Sequence, residues 1–306
     1  MITALALSPS IDVTYVVETF QQGTINLPST VHRVAGGKGL NVARAAHRVE
    51  ADAAAVAVLG ASSGAWIAEE LARIGLPLYR VEGAEPTRTC LSIADEGRHT
   101  MTEIYEPATP VTCAEWSALE SAVAGAIAGR PGWLTISGSI PGGAPEEALG
   151  TLIENAHQTN RCVAVDLSGQ ALRDALEAEP DLVKVNVEEA AETLGADPAA
   201  TPAELARLLA GHARAGAIVT AGVDGAHGVS NRGGARHVRS ARRGPYPVGS
   251  GDCMLAALVA GLDGGQDLLD AMVTASAVAT ANALVPGAAC FDLADVSAVL
   301  AQIEVR

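Results

Sequence analysis

Apolar residues recur along this chain in two alternating rhythms. Short uninterrupted runs such as Ala53-Ala54-Ala55-Val56-Ala57-Val58-Leu59 and Cys162-Val163-Ala164-Val165 have the length and composition of buried strands. Longer stretches rich in Ala and Leu follow them with helical spacing, several closed by glycine. The pattern predicts strands at 3–7, 53–60, 133–136, 162–166, 182–185, 217–220 and 226–230. It predicts helices at 65–74, 114–128, 145–160, 170–178, 188–195, 202–214 and from 252 onward. Such strand and helix alternation implies an α/β fold, a mostly parallel sheet flanked by helices, with ligands at the carboxyl edge of the strands. Two segments break the rhythm. Residues 13–35 and 86–106 carry short β-branched runs around turn residues, Asp95-Glu96-Gly97 among them, with no helix between them. They are expected to form one small accessory sheet on a single domain spanning 1–306.

Polar residues collect at the predicted strand ends: Asp12, Ser137-Gly138-Ser139, Asp166, Asn186 with Glu189, Thr220 to Gly225, and Asp252. Two helices open on glycine-rich loops. In Val248-Gly249-Ser250-Gly251-Asp252 the backbone amides and the positive helix end favour an anion, with Asp252 at the mouth. A carboxylate there reads either as an N-cap or as a general base beside a transferring phosphoryl group. The second loop, Gly36-Gly37-Lys38-Gly39-Leu40-Asn41, is either a tight strand-to-helix connection or a ligand cradle. A turn has no use for Lys38, which favours the cradle, and the Walker A spacing is absent. Arg232, Arg236, Arg239, Arg242 and Arg243 follow no strand or helix period and read as a solvated loop. His32, His47 and His99 read as surface or lid residues.

Composition narrows the partners. Hydrophobic residues make up 49% of the chain and aromatics 3%, so the core is built from Ala, Val, Leu and Ile. Net charge is −15 and the longest basic run is Arg242-Arg243, which argues against nucleic acid and anionic membrane. An anionic substrate would have to be held by local cations, which directs attention to Arg33, Lys38 and Arg88. Five scattered cysteines without metal spacing, and no signal-like or membrane-length apolar run, suggest a reduced cytoplasmic setting.

Taken together, the two glycine-rich loops, Lys184-Val185-Asn186-Val187-Glu188-Glu189 and Thr220-Ala221-Gly222-Val223-Asp224-Gly225 resemble, in order, the motifs of the ribokinase-like (PfkB) sugar kinases. The opening Ser8-Pro9-Ser10-Ile11-Asp12, the lysine of Gly37-Lys38-Gly39, Pro86-Thr87-Arg88, Ser137-Gly138-Ser139-Ile140-Pro141 and Gly251-Asp252-Cys253-Met254 are similar to the phosphosugar branch. That branch contains 1-phosphofructokinase, tagatose-6-phosphate kinase and the minor 6-phosphofructokinase. The resemblance implies transfer of the γ-phosphoryl group of ATP, with Mg²⁺, to a ketohexose monophosphate. It implies Asp252 as base with the amides of Gly249, Ser250 and Gly251. Asp12, Gly36, Gly37, Lys38, Asn41, Arg88 and Ser137 would hold the sugar phosphate. Lys184, Asn186, Thr220, Gly222 and Gly225 would hold the nucleotide, and Glu189 with Asn186 the metal. The accessory sheet would serve as a lid and a homodimer contact. Three positions depart from the family pattern: Val185 for proline, Pro247 for threonine, and Leu27 where many branch members carry arginine. Leu27 keeps open a kinase for an unphosphorylated sugar or a nucleoside. A non-catalytic sugar or nucleotide sensor is the rival of another class, and Asp252 with Glu189 argues against it.

Overall fold

The computed structural model describes residues 1–129, 131–197 and 199–306. The first part of the chain runs β1 (Ile2–Ala6), β2 (Ser10–Val17), β3 (Thr30–Gly36), α1 (Lys38–Arg48), β4 (Ala53–Gly60), α2 (Ala61–Arg73) and β5 (Leu78–Gly83). Next come β6 (Arg88–Asp95), β7 (Thr100–Tyr105), α3 (Cys113–Ile127), β8 (Gly132–Ser137), α4 (Ala148–Gln158), β9 (Arg161–Asp166) and α5 (Gly169–Glu177). The remainder is β10 (Leu182–Asn186), α6 (Val187–Leu194), α7 (Pro202–Ala210), β11 (Gly216–Thr220), β12 (Ala226–Ser230), β13 (Ala235–Ser240), α8 (Ser250–Asp263), α9 (Leu268–Ala283), α10 (Leu293–Leu300) and β14 (Ile303–Val305). Among the described residues no helix is long and apolar enough to cross a membrane.

Ten strands form one sheet in the order β14-β13-β12-β11-β10-β9-β8-β1-β4-β5. The stretch from β11 to β5 is parallel, and β12, β13 and β14 add to it antiparallel. The segments that broke the helical rhythm supply a separate sheet in the order β3-β2-β6-β7. Its middle pair, β2 and β6, is parallel, in register from Ser10 opposite Arg88 to Val17 opposite Asp95. Asp95 closes the far end by accepting from the backbone N–H groups of Phe20 and Arg98 at 2.9 Å each.

Each strand of the large sheet sends alternate side chains to opposite layers. Ile2, Ala4 and Ala6 of β1 join one core with Leu40, Val42, Leu255, Leu258, Met272 and Val278 of α1, α8 and α9. Leu5 and Leu7 join the other with Trp116, Leu119, Leu149, Ile153, Leu172 and Leu205 of α3, α4, α5 and α7. The two layers are not alike. Alanines dominate the strand face toward α1 and α8 (Ala4, Ala6, Ala53, Ala55, Ala57), so those helices sit close to the sheet. Gly39 marks the limit of that approach: a Cβ there would lie 2.4 Å from the Ala6 Cα. Fully buried Arg161 closes the opposite, amino edge by donating to the carbonyls of Ile127 and Met1.

Three expectations are corrected. Residues 232–243 are not simply a loop, because 235–240 form β13, whose single fully buried side chain, Val238, was too little apolar signal beside the arginines. Edge strands β5 and β14 went unforeseen for the same reason: each faces solvent along most of its length. Helix α4 begins at Ala148, three residues later than the composition suggested.

The close helix packing carries a stability prediction. Gly39→Ala forces a methyl group into the β1 backbone and is expected to lower the unfolding free energy by about 1–3 kcal/mol. Gly125, on the exposed side of α3, has nothing within 4 Å of its Cβ position, so Gly125→Ala should instead stabilise by about 0.5–1 kcal/mol. Chemical denaturation midpoints of the two variants measure the contrast; equal shifts would refute the packing argument.

Candidate active site

Helices α1 and α8 point their N-termini at one place on the carboxyl edge of the sheet. Asn41 in the first turn of α1 donates from Nδ2 to Asp252 Oδ2 in the first turn of α8, at 2.9 Å, and both side chains are buried. The N-cap of α8 is Gly249, in the left-handed conformation at φ 77°, with a Cβ position 2.4 Å from the Ala288 Cβ. Asp252 therefore stands three residues inside the helix and does not cap it. Burial, and after it the negative charge of Asp166, push the Asp252 carboxyl up to about 7, against the pull of Lys38 and Asn41. A buried carboxylate with that affinity for protons, beside the amides of Gly249, Ser250 and Gly251, is suited to accept one from a hydroxyl.

Next to it lies a row of alternating charges. Asp166 at the end of β9 is bonded through Oδ2 to Lys184 of β10 and through Oδ1 to Lys38 of α1, the latter at 2.7 Å. Burial works to raise the Asp166 pKa, but the ammoniums of Lys184 and then Lys38 outweigh it and hold the acid ionised. Lys38 also donates to Glu189 Oε1 at 3.0 Å. Burial disfavours its charge, yet Asp166, Glu189 and Asp252 together raise its pKa. The Lys184 ammonium reaches the anion loop itself, 2.7 Å from the Cβ position of Gly251.

Glu189 and Asn186 form a capping box at the start of α6. The Glu189 N–H donates to Asn186 Oδ1 at 2.7 Å and the Asn186 N–H to Glu189 Oε2 at 2.9 Å. Asp166 and Glu189 are the hard oxygen donors here, and the Lys38 ammonium bridging them shows that the pair accepts a cation. No cluster of three or more His, Cys, Asp or Glu able to hold a metal occurs among the described residues. Two carboxylates suit Mg²⁺, which takes its remaining ligands from water and phosphate oxygens.

On the other side of the α1 start, Asp12 of β2 accepts from the Gly37 N–H at 3.1 Å and from the Ser10 hydroxyl. It lies so close to Gly36 that any Cβ there would sit 2.1 Å from the carboxyl carbon. Burial raises the Asp12 pKa despite these bonds. The hydroxyls of Ser8 and Ser137 and the Asn41 Oδ1 are buried without a hydrogen-bond partner among the described residues, so this edge holds unsatisfied polar atoms. Arg88 donates to the carbonyls of Glu106 and Ser8 at 2.8 and 3.3 Å. It flanks Ser8, as Gly37 does, without touching Lys38. Thr220, Gly222 and Gly225 lie farther along the edge, where a 3₁₀ turn at Gly222–Asp224 follows β11 and the Thr220 hydroxyl donates to the Val185 carbonyl.

Three residues at the site received no role from the sequence. Asp166 was visible only as a strand end, although a lysine buried in the apolar run 182–185 required a counter-ion. Asn282 is fully buried in α9, donates to the Val248 carbonyl and Ser250 hydroxyl, and accepts from the Ala289 N–H. Arg44 donates to the carbonyls of Ala35, Ala288 and Ala289. A lone asparagine and a lone arginine among helix alanines were the available signals.

Comparison with known proteins sets this geometry in context. A 1-phosphofructokinase of Rhodobacter capsulatus is 32% identical over 280 residues, covering 90% of this chain and 88% of that protein. A tagatose-6-phosphate kinase of Staphylococcus epidermidis is 28% identical over 291 residues, covering 93% and 92%. Among solved structures, phosphofructokinase-2 from Escherichia coli in complex with substrates and products superposes with a TM-score of 0.89 at 26% identity, covering 98% of each chain. A Thermotoga maritima structure described as a "possible 1-phosphofructokinase" gives the same TM-score and identity, covering 100% and 99%. The model of the pfkB family carbohydrate kinases matches residues 3–293, which include both glycine-rich loops and the whole row of charges; the chain belongs to that family.

Proposed function

We propose that this kinase transfers the γ-phosphoryl group of ATP to a hydroxyl of a ketohexose monophosphate, such as fructose 1-phosphate, tagatose 6-phosphate or fructose 6-phosphate. The observation that carries the transfer chemistry is Asp252, buried at the start of α8 beside the anion loop, with its proton affinity raised and Asn41 its one hydrogen-bond donor among the described residues. Lys38 in the acceptor-side loop, together with the phosphosugar kinases among the relatives, supports a phosphorylated acceptor.

On this reading Asp12, the Gly36-Gly37 backbone, Asn41 and Ser137 orient the sugar. Lys38 and Arg88 meet its phosphate. Asp252 takes the proton of the attacking hydroxyl, and the Gly249 to Asp252 amides face the charge that develops on the transferring group. Losing one donor of that kind commonly costs about a hundred- to a thousand-fold in rate. Lys184 and the turn through Thr220, Gly222 and Gly225 serve the nucleotide. Glu189, Asp166 and Asn186 would hold Mg²⁺, which when bound neutralises phosphate charge. The β3-β2-β6-β7 sheet acts as a lid that keeps water from the transfer. Its exposed Ile25, Leu27, Val31, Ile104 and Tyr105 suit a second copy of the chain. The setting is the cytoplasm, where ATP and sugar phosphates meet.

Asp252→Asn should lower kcat by about a hundred- to ten-thousand-fold while leaving ATP affinity within a few-fold. For the wild type, protonated Asp252 is inactive, so kcat/KM should fall as pH drops below about 7 and level off above it. Asp252→Glu should keep that profile. Near-normal turnover in Asp252→Asn would remove the residue from the role of base.

The acceptor is tested separately. Comparing kcat/KM for the three ketohexose phosphates and for free fructose and tagatose should reveal a preference for one phosphate ester. Lys38→Met and Arg88→Met should each erode it, because charge-assisted bonds in a closed site discriminate more than exposed ion pairs do. A free sugar as best substrate would refute the phosphosugar reading, and exposed Leu27, where many branch members carry arginine, would be the reason.

A further inference from the structure

Asp166 and Glu189 each have one oxygen bonded to a permanent neighbour. Oδ2 of Asp166 is bonded to Lys184, and Oε2 of Glu189 accepts from the Asn186 backbone. The remaining two, Oδ1 of Asp166 and Oε1 of Glu189, both turn to the Lys38 ammonium, at 2.7 and 3.0 Å. These are the same oxygens that a divalent cation would need. We infer that Lys38 is the resident occupant of the cation seat between Asp166 and Glu189, and that a divalent cation must exchange with it, which frees the ammonium for the phosphate of the acceptor.

Charge and geometry make the two occupants exclusive. An ammonium and a divalent ion sharing two oxygens would stand within a few ångströms of each other, a repulsion of several kcal/mol even at an effective dielectric of about 20. With Lys38 seated, the group Asp166, Glu189, Lys38 and Lys184 is neutral, whereas a divalent cation makes it doubly positive. That surplus attracts phosphate dianions, and the chain as a whole, at −15, supplies no competing attraction. Lys38 is also built to leave. Its side chain is 37% exposed while those of Asp166 and Glu189 are 1% and 18% exposed, so the carboxylates stay fixed as the stem swings. It is the first residue of α1, next to Gly37, and its Cβ lies 3.9 Å from the Cβ position of Gly138. The stem is therefore rooted between the Asp12 loop and the unsatisfied Ser8 and Ser137 hydroxyls, on the acceptor side of the seat. Metal and acceptor phosphate then favour each other through one lysine. By linkage the effect is reciprocal: each ligand tightens the other by the same factor.

The exchange itself requires no sugar, whereas its consequence for the acceptor rests on the phosphosugar reading, so the experiment has two arms. In the first, free Mn²⁺ is titrated into the full chain and followed by electron paramagnetic resonance, with neither nucleotide nor sugar present. Lys38→Met should bind Mn²⁺ at least about tenfold more tightly than wild type, because it frees two carboxylate oxygens from a unit charge at contact. Lys38→Arg, which keeps the charge, should stay near the wild-type value, and Lys38→Met with Glu189→Gln should lose the gain. Equal Mn²⁺ affinity in wild type and Lys38→Met would overturn the exchange. In the second arm, calorimetry measures fructose 1-phosphate, tagatose 6-phosphate and fructose 6-phosphate binding with and without Mn²⁺ and a non-hydrolysable ATP analogue. The metal complex should tighten one of them by at least about fivefold in wild type and leave it unchanged in Lys38→Met. Sugar phosphate binding without coupling would overturn the delivery of Lys38 to the acceptor. No sugar phosphate binding under any condition would overturn the functional reading, and the Mn²⁺ arm would still decide the exchange.

Discussion

Everything at this site depends on how closely α1 and α8 lie on one face of the sheet. Alanine on the strands and Gly39 on the helix remove the side chains that would hold them apart. The two N-termini then converge until Asn41 of one reaches Asp252 of the other. Two positive helix ends aimed at one point create a place for negative charge, and the buried Asp252 carboxyl is the group the fold keeps there. A larger residue in that layer would widen the gap between the helices and separate the two glycine-rich loops before it touched any ligand.

The second constraint is charge neutrality in a dry place. Asp166 is buried among apolar strands and stays ionised because two lysines from different elements surround it. That arrangement ties β9, β10, α1 and α6 into one electrostatic unit, and among the described residues it leaves Asp252 hydrogen-bonded to the Asn41 amide rather than to an ammonium. The division of labour follows: one acid is held ionised, the neighbouring one is made basic. The same acid that secures Lys184 against the anion loop raises the proton affinity of Asp252.

Much of this was legible in the chain. The parallel core strands announced themselves through runs such as Ala53 to Leu59, and the accessory sheet through β-branched segments without an intervening helix. Glycines beside Lys38 and before Asp252 marked the two loops. What stayed hidden has a common physical cause. Strands β5 and β14 are solvent-facing edges and β13 beside β14 is half-exposed, so their polar residues erase the apolar period, and Asp166, Asn282 and Arg44 act through partners remote in sequence, which spacing does not encode. The sequence distinguished the two readings of Asp252 only through family resemblance. The structure removes the N-cap reading, since the cap position belongs to Gly249.

The hydrogen bonds of Asn282 and Arg44 also bear on how the protein comes into being. The anion loop at 248–250 is held by an amide 32 residues downstream of Ser250, and Arg44 holds the carbonyl of Ala288, 244 residues further on. A chain emerging from the ribosome thus exposes the first glycine-rich loop long before the carbonyls that Arg44 holds exist. Most of the parallel sheet can be complete while the anion loop still lacks its fastening. The contacts that shape the two glycine-rich loops are accordingly completed only once the segment through Ala289 has been made.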